Sequence, residues 1–184
     1  MPLPHYTQSR ASSQRYEPIQ PNLFEVTIFS PLGDDTGLIL EQVKSIGGLN
    51  GLNPEISAIN QKYKFADRSY AGMPANTFVD LTLNFTLNLN EANENYIYNT
   101  FRNWNNIIYD PLTGEMGLKN DYVGSMIVVQ YNRAGDIFRK ITLKDVFPTG
   151  QPDFVDELNY ETQDAAELTM TYRCDHWIEE NVGA

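Results

Sequence analysis

Apolar and polar residues alternate without interruption along residues 80–90, DLTLNFTLNLN. Leucine and phenylalanine occupy one set of alternate positions from Leu81 onward, and threonine and asparagine occupy the other. A period of two predicts a half-buried β-strand. The polar side carries no charge between Leu81 and Asn90, although an ordinary solvated strand face would be expected to hold Lys, Glu or Arg.

Comparable alternation, bounded by glycine and proline, predicts strands elsewhere in the chain. These strands are expected at 22–29, 37–46, 59–65, 125–131, 137–146, 157–160 and 166–174. In the last of them, one face holds Leu168, Met170, Tyr172 and Cys174. Glycine-rich or turn-rich loops are expected at 47–54, 67–77 and 110–121.

The hydrophobic period changes after Asn90. Apolar residues then fall at spacings of four, three and four, which is one face of a helix: Ile97, Phe101, Trp104 and Ile108. Asn90 is a good N-cap and Asp110-Pro111 a good stop, so a helix is expected over about 91–107. The pattern predicts a mainly β fold with one α-helix, an antiparallel β-sandwich or barrel of about seven strands.

The pattern divides the chain into three segments. Residues 1–20 lack apolar periodicity and are predicted to form an extended N-terminal arm, residues 21–180 a single β domain, and residues 181–184 a C-terminal tail. The net charge of −11 argues against a protein that grips nucleic acid. The arm carries Arg10 and Arg15 and could reach an acidic neighbour, or it could be an unstructured tail.

The sequence offers few groups for chemistry, and we expect no catalytic residue, metal or cofactor. Two histidines and one cysteine form no metal-binding or nucleophile motif, and Cys174 has the parity of a core residue. The 110–121 loop fails as an EF-hand because Glu115 stands where glycine is needed. No apolar run approaches the ~20 residues of a membrane span, so no membrane anchor is expected.

Four segments follow one another along the chain: PNLFEVTIF (21–29), FVDLTLNFTLNLNEANENYIYNTFRNW (78–104), VGSMIVVQYNRAGDIFRKITLKDVFPTG (123–150) and RCDHWIEE (173–180). In this order they resemble the tail tube proteins of contractile-tailed, T-even-like bacteriophages, which are related to the tubes of contractile injection systems and type VI secretion. Each motif is weak alone, but their order and spacing are hard to obtain otherwise. The resemblance covers most of residues 21–180.

The resemblance implies a non-enzymatic subunit that forms hexameric rings, stacked into a hollow tube inside a contractile sheath. The sheets of six subunits would complete one continuous inner β-barrel, and genomic DNA would pass through it without specific binding. Its partners would be other copies of itself, the sheath protein, and the baseplate and tail-terminator proteins. The protein would be made in the host bacterial cytoplasm and located in the virion tail.

Two sets of residues are expected to matter in such a tube. The uncharged strand face is expected to line the lumen through Thr82, Asn84, Thr86 and Asn88. Contacts between subunits are expected at Arg10, Arg15, Tyr16, Gly48, Leu49, Leu52, Tyr70 and Met73. This chain differs from the shorter members of the family in its arm and in the 47–54 and 109–121 loops. Three identities therefore remain open: the main tube subunit, a tube initiator of the baseplate, and the tube subunit of an injection system.

Two other classes of protein fit the composition. A monomeric β-sandwich binding module, for example one for carbohydrate, would show exposed aromatic residues on one sheet face, and the 81–90 strand shows none. A β-rich hydrolase would need a convergent acid/base set, and nothing in the sequence selects a pair of carboxylates.

Overall fold

A computed structural model describes residues 19–33, 41–53, 55–74, 78–87, 96–154 and 165–180. Its strands are β1 (Phe24–Phe29), β2 (Val43–Gly47), β3 (Ala58–Lys62), β4 (Asp67–Ala71), β5 (Val79–Thr86), β6 (Gly124–Tyr131), β7 (Ile137–Phe154) and β8 (Glu167–Glu180). Its helices are α1 (Tyr96–Ile108) and the single turn α2 (Lys119–Tyr122), with a 3-10 turn at Leu49–Leu52.

Six strands form one antiparallel sheet in the order β1-β6-β7-β8-β5-β2, and β3 and β4 form a separate hairpin. The sheet curls into a half-barrel with α1 as the one helix longer than a turn in the described part of the chain. The predicted fold class, mainly β with one helix, is confirmed. The hexameric ring stays a prediction.

One face of the curled sheet carries the core. The side chains of Leu81, Leu83 and Phe85 on β5 are fully buried, as are alternate residues of the adjacent β8. The faces predicted from the period of two are therefore confirmed. Burial of each such side chain stabilises the fold by roughly 1.5–3 kcal/mol relative to exposure.

Helix α1 covers this apolar face of the sheet. Phe101 packs on Phe85 with ring centroids 4.9 Å apart, and Trp104 packs on Tyr172 at 5.8 Å. The indole Nε1 of Trp104 donates a hydrogen bond to the carbonyl oxygen of Tyr122, 2.7 Å away. Ile97, Phe101 and Trp104 are buried as the helical spacing predicted.

The strand boundaries differ from the sequence prediction at two places. The predicted loop 67–77 contains β4, because these residues pair with β3. β7 continues to Phe154, through the segment with Pro148 that was expected to be a loop. A proline is tolerated there because β6 pairs with β7 only as far as Val146, which leaves this part of β7 with β8 as its one neighbour in the described sheet.

Smaller differences concern the other elements. Residues 41–42, predicted as strand, are helical, and the predicted 110–121 loop contains the turn α2. Helix α1 is described from Tyr96 and ends at Ile108. The expected cap Asn90, the first helical residues 91–95, the strand at 157–160, the arm 1–18 and the tail 181–184 lie outside the described residues.

Candidate assembly surfaces

The sheet face opposite the core is built around Asn84. Its side-chain Nδ2 donates a hydrogen bond to Ser45 Oγ on β2 at 2.9 Å. Its Oδ1 accepts a hydrogen bond from Thr169 Oγ1 on β8 at 2.8 Å. These contacts follow from the register, which places Asn84 between Ser45 and Thr169. Asn84 thus links three strands through neutral groups.

A second neutral row runs beside the first. Thr82 pairs with Thr171 on β8, and Thr171 pairs in turn with Thr149 on β7. Cross-strand threonine pairs of this kind stabilise a sheet by a few tenths of a kcal/mol to about 1 kcal/mol each. The two rows make a surface of hydroxyl and amide groups across β2, β5, β8 and β7, which we call the neutral face.

Charged residues occur at the margins of the neutral face, and they are paired. Arg173 donates hydrogen bonds from Nε and from an Nη atom to the two carboxylate oxygens of Asp80, at 2.8 and 2.9 Å. Lys44 forms an ion pair with Glu167. The hydrogen bond from Arg173 lowers the pKa of Asp80. Each pair joins one cationic and one carboxylate side chain, so it adds no net charge beside the rows.

The predicted lumen residues lie together on this face where the structure describes them. Thr82, Asn84 and Thr86 are half-buried on β5, on the side away from α1. Asn88 lies outside the described residues. Periodicity alone indicated that these side chains share a face, but Ser45, Thr169 and Thr171 join it only through strand pairing. That the face lines a lumen stays a prediction.

Two long strands leave parts of their edges without a neighbour in the described sheet. β6 covers β7 only up to Val146, and β5 covers β8 only up to Cys174. Beyond these points each long strand pairs on one side only, and β1 and β2 form the outer edges. Uncovered strand edges present N–H and C=O groups that readily pair with another chain.

The β3–β4 hairpin is exposed along its whole length, residues 58–71. One face carries Ile59 opposite Tyr70, and the turn carries Phe65 at 90% exposure. Ser69 Oγ donates a hydrogen bond to Asn60 Oδ1 at 2.6 Å on the other face. A two-stranded hairpin without a packed face is marginally stable in water, so this hairpin is a candidate for contact with another molecule.

The expected inter-subunit residues divide into three groups. Tyr70 and Met73 are exposed on the hairpin and after it, while Leu52 is 3% exposed and packs into the core of its own chain. Leu49 is partly buried against the same core, and Gly48 (φ 87°) begins the 3-10 turn with its Cα close to the carbonyl of Asp80. The side chain of Leu52 therefore acts inside the subunit. The arm residues Arg10, Arg15 and Tyr16 lie outside the described residues.

A second exposed apolar segment follows α1, and sequence reasoning missed it. The loop is tightly hydrogen-bonded: Asp110 accepts the backbone N–H of Leu112 at 2.8 Å and the hydroxyl of Thr113 at 3.0 Å. The first of these bonds is the main cause of a lowered pKa at Asp110. Nevertheless its apolar side chains point outward: Tyr109, Leu112, Met116 and Leu118. Four large apolar residues within ten positions of a predicted turn were the available signal.

The potentially reactive groups are arranged as structural residues. Burial raises the pKa of the Cys174 thiol to about 11, and its Sγ lies 3.0 Å from the His176 carbonyl oxygen and 3.3 Å from that of Lys144. His176 Nδ1 faces Asp145 Oδ2 at 3.1 Å on the surface. The described residues contain no group of three or more metal-ligating side chains, and none of their helices has the length and apolar character of a membrane span.

Comparison with known proteins gives matches among solved structures. A chain of the sheath-tube complex of an extracellular contractile injection system (PVC, extended state) aligns over 98% of this chain and 100% of its own, with a TM-score of 0.59 and 16% identity. The tube-terminating cap of the anti-feeding prophage aligns over 93% and 96%, with a TM-score of 0.64 and 16% identity. This chain has the tube-protein fold.

A third match extends the comparison to the end of the tube. The PVC sheath/tube terminator aligns over 90% of this chain and 98% of its own, with a TM-score of 0.61 and 16% identity. No protein-family model and no curated protein sequence matches. The tube-protein fold therefore accounts for nearly the whole chain and confirms the resemblance seen in the sequence at the level of fold.

Proposed function

We propose that this protein is a structural, non-enzymatic subunit of a tube in a contractile particle. Copies close into rings, and the rings stack into a hollow tube inside a sheath. The observation that carries this proposal is the tube-protein fold over 98% of the chain.

The edges of the sheet support ring formation. The uncovered segment of β7 faces the lateral edge of the sheet where β6 and β1 lie, and the uncovered segment of β8 faces the opposite lateral edge, where β5 and β2 lie. A sheet with edges on both sides can be continued by a neighbour at each side, and closing the ring removes the exposed edges. A head-to-tail contact that closes gives rings rather than filaments.

The neutral face supports a role as the channel wall. In the half-barrel, α1 occupies the apolar face, so the neutral face is the one available to a lumen. Its hydroxyl and amide groups hydrate well and provide no unpaired charge to hold a passing polymer. The net charge of −11 would further repel nucleic acid, over a range of about 10 Å at ~0.1 M salt.

The particle that we favour is a contractile phage tail, in which the tube conducts genomic DNA. Its partners are then the sheath, the baseplate proteins and the tail terminator, and its place is the virion. The alternatives are the tube of a contractile injection or type VI-like system, and a subunit at the tube end. The match to the tube-terminating cap and to the terminator keeps the end-of-tube role among the candidates.

Negative-stain microscopy of the purified full chain tests the proposed function. We expect rings or stacked tubes about 100 Å wide, the width of six domains of this size around an axis. A chain that stays monomeric at every protein and salt concentration would contradict the proposal and favour the monomeric binding module. Cryo-electron microscopy of the tubes tests the wall: Thr82, Asn84 and Thr86 should face the lumen, and density that places them on the outer surface would contradict the assignment.

A further inference from the structure

Two exposed apolar patches in the described chain carry opposite charge. The cationic hairpin, residues 58–71, holds Lys62, Lys64 and Arg68 against one acidic residue in a chain whose net charge is −11. The acidic loop, residues 109–121, holds Asp110, Glu115 and Asp121 against one basic residue. The two patches are opposite in charge and come from different parts of the chain, so they can serve as the two different surfaces of a head-to-tail contact.

The three cations of the cationic hairpin form no ion pair within the described part of the subunit. None of its three cations has a carboxylate within ion-pair distance there; Lys64 lies 5.4 Å from the ring centroid of Phe65, and Arg68 lies 5.8 Å from that of Tyr63. The tip thus combines aromatic surface with positive charge. An acidic partner with apolar surface would satisfy both.

The acidic loop has these properties. Lys119, its one cation, is already paired with Asp175, and the carboxylate of Asp110 is engaged inside the loop. Glu115 and Asp121 are exposed and have no ion pair in the described structure. Among them stand Leu112, at 94% exposure, and the exposed side chains of Met116 and Leu118. The loop's internal hydrogen bonds hold these groups in place, which lowers the entropy cost of binding.

Both patches join the sheet at the same level along its strands, where β5 begins and where the pairing of β6 with β7 stops. The chain leaves the hairpin shortly before β5 begins at Val79, which pairs with Cys174. The acidic loop runs into α2, whose Lys119 pairs with Asp175, the next residue along β8. Two patches that meet across a ring made by rotation must lie at the same height along its axis. Patches that join stacked rings would lie at opposite ends.

The patches also lie on opposite sides of the sheet. The hairpin connects β2 and β5, which form one side. The acidic loop borders the other side, where Pro111 and Tyr109 line a groove with Pro148 and Gly150 of β7, next to its uncovered edge. One copy can thus offer the hairpin to a neighbour on one side and the acidic loop to a neighbour on the other.

We propose that the cationic hairpin of one copy packs on the acidic loop of the adjacent copy in the same ring. Lys62 and Lys64 then face Glu115 and Asp121, and Phe65 packs on the exposed Leu112 region. The inference rests on the proposed function, because it assigns a contact within the proposed ring. It predicts that ring formation weakens as salt increases, since the contact pairs exposed charges.

Charge reversal with rescue tests the contact in the full chain. Lys62→Glu with Lys64→Glu should raise the protein concentration for half-maximal ring formation by about tenfold or more, as should Glu115→Lys with Asp121→Lys. All four changes together should restore assembly to within about threefold of the wild type. Sedimentation velocity measures the ring fraction. Arg102→Glu with Arg133→Glu, two exposed cations outside both patches, is the matched control and should leave assembly unchanged.

Disulfide trapping provides a second measurement that does not depend on charge. Phe65→Cys combined with Leu112→Cys should, after oxidation of assembled rings, give a ladder of covalent oligomers on non-reducing gels. Either cysteine alone should give no ladder, because the proposed contact would then place no second thiol opposite it. The buried Cys174 can be left in place.

The outcomes separate this contact from the function as a whole. Rings that form normally in both charge-reversed variants, or in the double-cysteine protein without a ladder, overturn the contact and leave the proposed function standing. Two impaired variants without rescue in the combination also overturn it. A wild type that never assembles overturns both.

Discussion

The sheet–helix body and the β3–β4 hairpin are built from strands with similar alternation, but they end in opposite environments. In the body, β5 buries Leu81, Leu83 and Phe85 under α1. In the hairpin, Ile59 and Tyr70 meet across the strands, and no residue from 58 to 71 is buried. The alternating pattern is thus shared, and what differs is whether another element of the same chain covers the apolar side.

This difference separates two sources of stability. The body has a core that can hold its fold without a partner, as expected for a chain with this many buried apolar side chains. The hairpin has cross-strand contacts alone, which seldom stabilise two strands in water. We therefore expect substitutions in the body to change the free energy of unfolding, and substitutions in the hairpin to change assembly.

The largest effect is expected at Trp104. Trp104→Ala removes a fully buried indole, its contact with Tyr172 and its hydrogen bond to the carbonyl of Tyr122, and should lower the free energy of unfolding by about 3–5 kcal/mol. Urea unfolding of the monomer measures this. Phe65→Ala, an aromatic truncation in the hairpin, should change it by less than about 0.5 kcal/mol. Equal losses in the two variants would remove the distinction between body and hairpin.

The next effect is expected at Gly48, where the chain passes from β2 toward the hairpin. A Cβ there would lie 2.2 Å from the Asp80 carbonyl oxygen, and φ is 87°. Gly48→Ala should therefore lower the free energy of unfolding by about 2 kcal/mol or more. Gly135 has a similar φ of 90° but nothing within 4 Å of an added Cβ, so Gly135→Ala should cost only about 1 kcal/mol. Thermal or urea denaturation measures both losses. Equal losses of unfolding free energy in the two variants would show that the close approach to β5 is absent.

A smaller effect is expected from the Asp80–Arg173 pair at the margin of the neutral face. Because the folded-state pKa of Asp80 is lowered, its contribution is present above the unfolded pKa near 4 and is lost as pH falls through the lower folded value. Both side chains are more than a third exposed, so the contribution at pH 7 should not exceed about 1 kcal/mol. The stability difference between wild type and Arg173→Gln should therefore shrink between pH 5 and pH 2. A difference that stays constant over this range would contradict the pairing; Arg102→Gln is the control.

The last comparison concerns thiol reactivity, which should differ clearly between the body and the hairpin. With a pKa of about 11, roughly one Cys174 in a thousand is a thiolate at pH 8, and the side chain is buried. Alkylation by iodoacetamide should be slow in the native protein and fast in urea. A cysteine placed in the hairpin by Phe65→Cys should react quickly without urea. Fast native labelling of Cys174 would show that the β8 core opens readily.

The sequence by itself determined the features that depend on local periodicity. A period of two set the two faces of β5 and β8, and the spacing of Ile97, Phe101 and Trp104 set the buried face of α1, because side-chain direction in a strand or helix follows from backbone geometry. The same parity placed Cys174 in the core and brought Thr82, Asn84 and Thr86 to one polar face.

The tertiary structure decided which segments pair and which apolar faces are covered. β4 exists because it pairs with β3, β7 passes through Pro148 because β8 continues beside it, and Leu52 is buried because the 3-10 turn folds onto the start of β5. The neutral rows likewise needed Ser45, Thr169 and Thr149 from other strands. These outcomes depend on contacts between residues far apart in the chain. A local pattern of apolar and polar positions does not specify which distant segment a strand will pair with.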